Sequence, residues 1–263
     1  MLKYVLLRTG IKLHYAEKGD WSGEPVVLLH GYADSWQSFA PLLSEFSSSF
    51  RTFSLDLRGH GNSDKPEGGY KLDDFVADLA AFMDSMSLER ANIVGHSLGS
   101  FIAQLFAACH PDRIRRLLLV SSAPSATHNA VIQSLKAEVD ALSDPIDKAF
   151  VVTFQEPSSP IAQDFMDRII SESMKVPAHV WQNTLSGLLQ ADNSSILDCI
   201  KAPTFIAWGC KDAIFTREDQ NKLIAKIPHA LLREYDAGHA IHWEKPRELA
   251  LDMIKFMTRP FSQ

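Results

Sequence analysis

Residues 92–106 read NIVGHSLGSFIAQLF, and Gly95 and Gly99 stand two positions to either side of Ser97. The stretch changes its period at the serine. Before it runs a short apolar segment that reads as a buried strand; after it the apolar residues recur at helical spacing. A serine at such a strand-to-helix turn sits on strained backbone, and only small neighbours let the chain pass so tightly. By composition alone the pentapeptide arises in about one chain in ten of this length. Its meaning therefore depends on what the rest of the chain places beside it.

The 263 residues are 46% hydrophobic and 22% charged, which suits one large α/β domain or two small ones. The formal net charge is −6 and no lysine/arginine run occurs, which argues against nucleic acid and anionic membrane surfaces as partners. Cys109, Cys199 and Cys210 are odd in number and lack C-x-x-C spacing, so they are expected to be buried thiols of a reducing compartment. The opening MLKYVLLRTGIKLHYAEKG is broken by Lys3 and Arg8 and reads as two short strands joined at Thr9-Gly10 rather than a signal peptide. No apolar stretch reaches the ~18 residues of a membrane span. A soluble, cytoplasmic protein is expected, while the sequence is silent on oligomeric state.

Apolar runs at 26–29, 52–55, 92–94, 117–120, 204–208 and 230–234 read as strands buried on both faces. Helical patterns separate most of them. The clearest is LDDFVADLAAFMDSMSL, where Phe75, Leu79, Phe82, Met83 and Met86 share a face; another follows Ser97 and stops at His110-Pro111. Such alternation predicts an α/β fold, with a mostly parallel central sheet flanked by helices, whose ligands bind beyond the carboxyl ends of the strands. Between 124 and 200 the alternation gives way to helices joined by turns such as Asp144-Pro145. The predicted organisation is one core domain, 1–123 with 201–263, carrying a helical cap insertion over 124–200.

Five chemistry-bearing stretches each follow an apolar run and should meet on one sheet edge. They are HGYADSWQSF from His30, DLRGHGNSD from Asp56, the turn at Ser97, GCKD ending at Asp212, and DAGHAIHWEKP with His239. In this set the chain resembles the α/β-hydrolase superfamily, in its serine esterase-like form. His30-Gly31 is similar to the oxyanion loop, residues 56–63 to the D-x-R-G-x-G-x-S turn, and 95–99 to G-x-S-x-G. Asp212 and His239 match the acid and base in the chain order this fold uses. The likeness spans nearly the whole chain and is weakest in the insertion.

The resemblance implies a carboxylic ester hydrolase acting on a small-molecule ester. Ser97 would attack a carbonyl, His239 would take its proton, and Asp212 would hold the imidazole and stabilise its charged form. The backbone N–H groups of Tyr32 and Leu98 would bind the oxyanion. Asp219, beside Arg217 and Lys222, reads as part of a solvated helix face, and Asp236 as a turn residue shaping the loop of His239. His242 is the rival base that the resemblance sets aside. His30, His60 and His96 are expected to brace loops. Trp36, Phe154 and Trp181 are candidate substrate-binding residues, although each could equally serve the core. No cofactor is implied, and no metal either, since the histidines show no H-E-x-x-H spacing. Lactonases, C–C bond hydrolases, perhydrolases and slow-turnover ligand sensors share these motifs. Haloalkane dehalogenases and epoxide hydrolases, by contrast, carry aspartate at the elbow. The HGYA loop also differs from the H-G-G-G loop that goes with esters of bulky tertiary alcohols.

Charge is unevenly placed. Residues 124–200 hold four basic side chains (Lys136, Lys148, Arg168, Lys175) and ten acidic ones, so the whole net charge resides there. A roof of that sign repels anions and favours uncharged esters. Phe150, Phe154, Phe165 and Trp181 offer it apolar surface, at least half of which is expected to form the insertion's own core.

Overall fold

Residues that are apolar on both faces form the middle of the structure. The computed structural model describes residues 1–260. Eight strands make one sheet: β1 (Leu2–Leu6), β2 (Lys12–Lys18), β3 (Glu24–Leu29), β4 (Phe50–Leu55), β5 (Ala91–His96), β6 (Ile114–Val120), β7 (Thr204–Gly209) and β8 (Leu231–Tyr235). Their order is β1-β2-β4-β3-β5-β6-β7-β8. β2 runs antiparallel to both its neighbours, and all pairs from β4 to β8 are parallel. In β5 all six residues are buried, as are all six in β7, because helices cover both faces. β8 departs from expectation. It is an edge strand with Leu231 44% exposed, so it is not buried on both faces.

The helices are α1 (Ala40–Leu43), α2 (Leu72–Ser85), α3 (Leu98–Cys109), α4 (Ala130–Ser134), α5 (Lys136–Asp140), α6 (Lys148–Phe154), α7 (Gln163–Ser173), α8 (Ala178–Leu188), α9 (Arg217–Lys226), α10 (Ile241–Glu244) and α11 (Pro246–Met257). α2 shows how the sequence selects them. Asp74 accepts the N–H of Lys71 to start it, and Leu72, Phe75, Leu79, Phe82 and Met83 enter the core. Burying each such large side chain contributes roughly 1.5–3 kcal/mol. α1, α10 and α11 close the other face over Val26, Leu28, Val94 and Leu118.

Helices α4 to α8 all lie in the segment between β6 and β7. Its two ends are tied together: Ser125 bridges Asp192, the Ala126 N–H donates to the Ala191 carbonyl, and the Asn193 N–H donates to the Pro124 carbonyl. The segment leaves and rejoins the sheet at one neck. That path lets it lie over the carboxyl ends of β5, β6 and β7. Among the described residues no helix is long and apolar enough to cross a membrane. Cys109, Cys199 and Cys210 are all exposed, which corrects the expectation of buried thiols. Cys109 ends α3, Cys210 directly follows β7 and Cys199 lies in the connection between α8 and β7.

Candidate active site

β5 delivers Ser97 at its carboxyl end. There φ is +50° and ψ is −116°, a conformation that an L-residue adopts only under strain, before α3 begins at Leu98. The flanking glycines are dictated by contact. A Cβ on Gly95 would lie 2.2 Å from the Gly99 carbonyl oxygen, and one on Gly99 would lie 2.1 Å from that of Leu29. Strand β5, helix α3 and the end of β3 thus pack closer than any side chain allows. The Ser97 N–H donates to the Val120 carbonyl at 3.1 Å, which ties the turn to β6.

Asp212 follows β7 with its side chain fully buried. One carboxylate oxygen, Oδ1, accepts from the N–H groups of Ile214 (2.8 Å) and Phe215 (3.1 Å); the other lies 2.9 Å from His239 Nδ1. A carboxylate held by two backbone donors cannot turn away from the imidazole. Since Nδ1 is engaged, Nε2 is the ring nitrogen available to a ligand. The loop of His239 is pinned through its own carbonyl, which accepts from Ser121 Oγ at 2.6 Å and from His96 Nε2 at 3.1 Å. Asp219 and Asp236 have other work. Asp219 caps α9 through the Thr216 N–H and hydroxyl, and Asp236 is an exposed partner of Lys211.

Ser97 and His239 line one cavity of about 300 Å³. Gly31, Tyr32, Asp34 and His96 contribute from the sheet edge, while Leu135, Phe150, Phe154, Gln155 and Leu185 come from the inserted segment. Tyr32 is fixed at both ends. Its hydroxyl donates to the Trp181 carbonyl at 2.7 Å, and its ring stands edge-on to Phe154 and Trp181. Leu98 buries its side chain in the core, and its N–H is one of those a helix start leaves without an intrahelical acceptor. Of the three candidate substrate-binding residues, Phe154 lines the cavity. Trp181 is 0% exposed behind Phe150 and Phe154, and Phe165 is likewise buried. Trp36 also lies outside the lining, with its N–H bound to Asp56.

Four buried histidines around the site, His30, His60, His96 and His242, stay neutral. Burial lowers His30 to about 4 and both His60 and His242 to about 3, and pushes His96 well below the ordinary imidazole value. His30 pairs Nδ1 with the Gly31 carbonyl and accepts the Leu57 N–H on Nε2, so it joins the loops after β3 and β4. His242 pairs with Ser38 at 2.7 Å. In the glycine turn, burial works against the charge of Asp56, yet donors from His14, Asn62 and Trp36 hold its carboxyl below the usual range. Asp34, Ser38, Ser121 and Gln155 escaped the sequence reading. Asp34 and Ser38 lie in the HGYADSWQSF stretch and Ser121 directly follows the run at 117–120; their only sequence signal was position after a strand. Among the described residues no group of three or more His, Cys, Asp or Glu is placed to hold a metal ion.

A family model described as the alpha/beta hydrolase fold matches residues 24–246. Epoxide hydrolase 4 of Mus musculus is 37% identical over 121 residues, 45% of this chain and 34% of that protein, so the chain spans about a third of that relative. The cis-3-alkyl-4-alkyloxetan-2-one decarboxylase of Shewanella oneidensis is 29% identical over 285 residues, covering 97% of this chain and 88% of that one. The esterase structure from Exiguobacterium antarcticum superimposes with a TM-score of 0.90 at 20% identity, covering 98% of this chain and 100% of the other; the two share a fold.

Proposed function

This chain belongs to the α/β-hydrolase fold family, and within it we propose a serine hydrolase that cleaves carboxylic esters through an acyl-enzyme on Ser97. One observation carries the reading: a serine strained at φ +50° shares a cavity with a histidine whose Nδ1 is held by a buried, fully bonded aspartate. In the proposed reaction Ser97 Oγ attacks the ester carbonyl while His239 Nε2 takes its proton, and the imidazolium formed is stabilised by Asp212. The N–H groups of Tyr32 and Leu98 receive the oxyanion, each worth roughly 10²–10³ in turnover. The tetrahedral intermediate collapses, His239 returns the proton to the departing alkoxide, and the alcohol leaves. Water, deprotonated by His239, then attacks the acyl-enzyme; the intermediate expels Ser97 Oγ, which takes the proton back from His239, and the acid leaves.

Helices α4 to α8 act as the cap, and the cavity's wall of Leu135, Phe150, Phe154 and Leu185 suits an apolar acyl or alcohol group. Lactone opening is the second reading. The Shewanella relative is named for an oxetan-2-one, itself a cyclic ester, so a lactone is open to the same attack. Epoxide hydrolysis is disfavoured because a serine stands at the elbow.

The test is Ser97→Ala on 4-nitrophenyl butyrate, with labelling by a serine-directed phosphonate. Turnover should fall to background with the fold intact, and peptide mapping should recover the adduct on Ser97 alone. An adduct elsewhere, or retained turnover, refutes the proposal.

A further inference from the structure

Five acidic residues are buried among the described residues: Asp34, Asp56, Asp78, Glu172 and Asp212. Four of them face a basic side chain: Asp56 meets His14, Asp78 meets Arg58, Glu172 meets Lys175 and Asp212 meets His239. Asp34 ion-pairs with no Lys, Arg or His among the described residues, although it is only 3% exposed. It is also the one of these five that lines the cavity of Ser97. A buried carboxyl without a cationic partner is costly unless something else supplies the partner.

We infer that Asp34 is a specificity-determining residue that receives a protonated amine of the substrate, so that the esters cleaved here carry an ammonium group. The inference rests on the hydrolytic reading of the same cavity. Within the protein Asp34 takes the Ser35 N–H at 2.8 Å and a hydroxyl hydrogen bond from Ser38, both neutral donors. Burial raises it to about 7 against those two donors, and the charges of Asp56 and Glu172 add to the rise. A bound cation would reverse that shift, which is the energetic return for leaving the group unpaired.

The rest of the cavity agrees, since a negative roof that favours uncharged esters over anions favours cationic ones further. Its lining includes no Lys or Arg, while Glu138 and Glu156 stand exposed at its edge. Phe150, Phe154 and Trp243 present aromatic surface on which the rim of an ammonium can rest. An anion entering this space would meet three carboxyl groups and no compensating charge.

Calorimetry on the wild-type chain, with hexylamine, hexanol and hexanoate as probes, measures the site without turnover. A charge-assisted hydrogen bond predicts that hexylamine binds roughly tenfold to a hundredfold more tightly than hexanol, with hexanoate weakest. In Asp34→Asn that advantage should shrink to within about threefold. In the kinetic arm, kcat/KM for 4-nitrophenyl 6-aminohexanoate should exceed that for the hexanoate by roughly tenfold, and Asp34→Asn should remove the ratio mainly through KM. Hexylamine binding no better than hexanol, or an advantage that survives Asp34→Asn, overturns the inference. If the wild type binds the amine through Asp34 yet cleaves neither ester, the amine site stands and the hydrolytic reading falls.

Discussion

Acidification should destabilise this protein through its buried imidazoles. His30, His60 and His242 are enclosed, and burial lowers them from 6.5 to about 4, about 3 and about 3. In the folded chain each stays neutral at pH 5, whereas the unfolded chain takes up the proton. Their stabilisation is therefore present above about pH 6.5 and is lost as pH falls toward the folded values. At pH 5 the gap is about 1.5 pH units for each, or about 2 kcal/mol, hence about 6 kcal/mol for the three. His96 acts in the same direction. Asp34 opposes them. Its folded value of about 7 lies above the ordinary 3.8, so its burial penalises the fold above pH 7 and relaxes on acidification. Between pH 7.5 and 5 that relaxation returns about 2.5 kcal/mol. The histidines win, and the net loss is about 3.5 kcal/mol, a large part of the ~5–15 kcal/mol typical of a domain. Urea unfolding followed by tryptophan fluorescence at the two pH values measures it. His60→Gln removes one titrating ring, so its pH-dependent drop should be smaller by about 2 kcal/mol. Equal or greater stability at pH 5, or an unchanged drop in His60→Gln, would refute the reasoning.

Two further substitutions separate chemistry from scaffold. Asp212→Asn should lower kcat by about 10⁴-fold with little change in melting, because the imidazole loses its orienting partner. Asp219→Asn should keep turnover and cost about 1 kcal/mol by weakening the cap of α9; kinetics and thermal melts on both would move the acid to Asp219 if the two outcomes were exchanged. Gly99→Ala forces a Cβ to within 2.1 Å of the Leu29 carbonyl oxygen, so β3 or α3 must shift. The expected result is a loss of stability on the order of 1–3 kcal/mol together with a fall in kcat of at least roughly tenfold. Wild-type kinetics and melting would show that this close approach does not hold Ser97 in place.

What could be read from the sequence was local. The change of period at Ser97, the glycines beside it and the apolar run before each motif are properties of neighbouring residues, and a parallel sheet turns them into position by carrying every carboxyl end to one edge. The strand–helix alternation and the pair of short strands at the N-terminus were legible for the same reason. Burial at the ends of elements was not. β8 lies at the sheet's edge and the three cysteines reach solvent, because exposure depends on which neighbour covers a residue. For Asp212, Asp219 and Asp236 the fold adds the contacts that neighbouring residues could not show: one is buried against His239 27 residues away, one caps a helix and one meets Lys211 in solvent. Trp181 and Phe154 differ in the same manner, since packing sends one behind the wall and leaves the other on it. Asp34 is the extreme case. Four other buried acids find a basic partner, three of them at separations of 20 to 42 residues. Whether a carboxyl lacks one is a fact about the assembled interior, which no stretch of sequence contains.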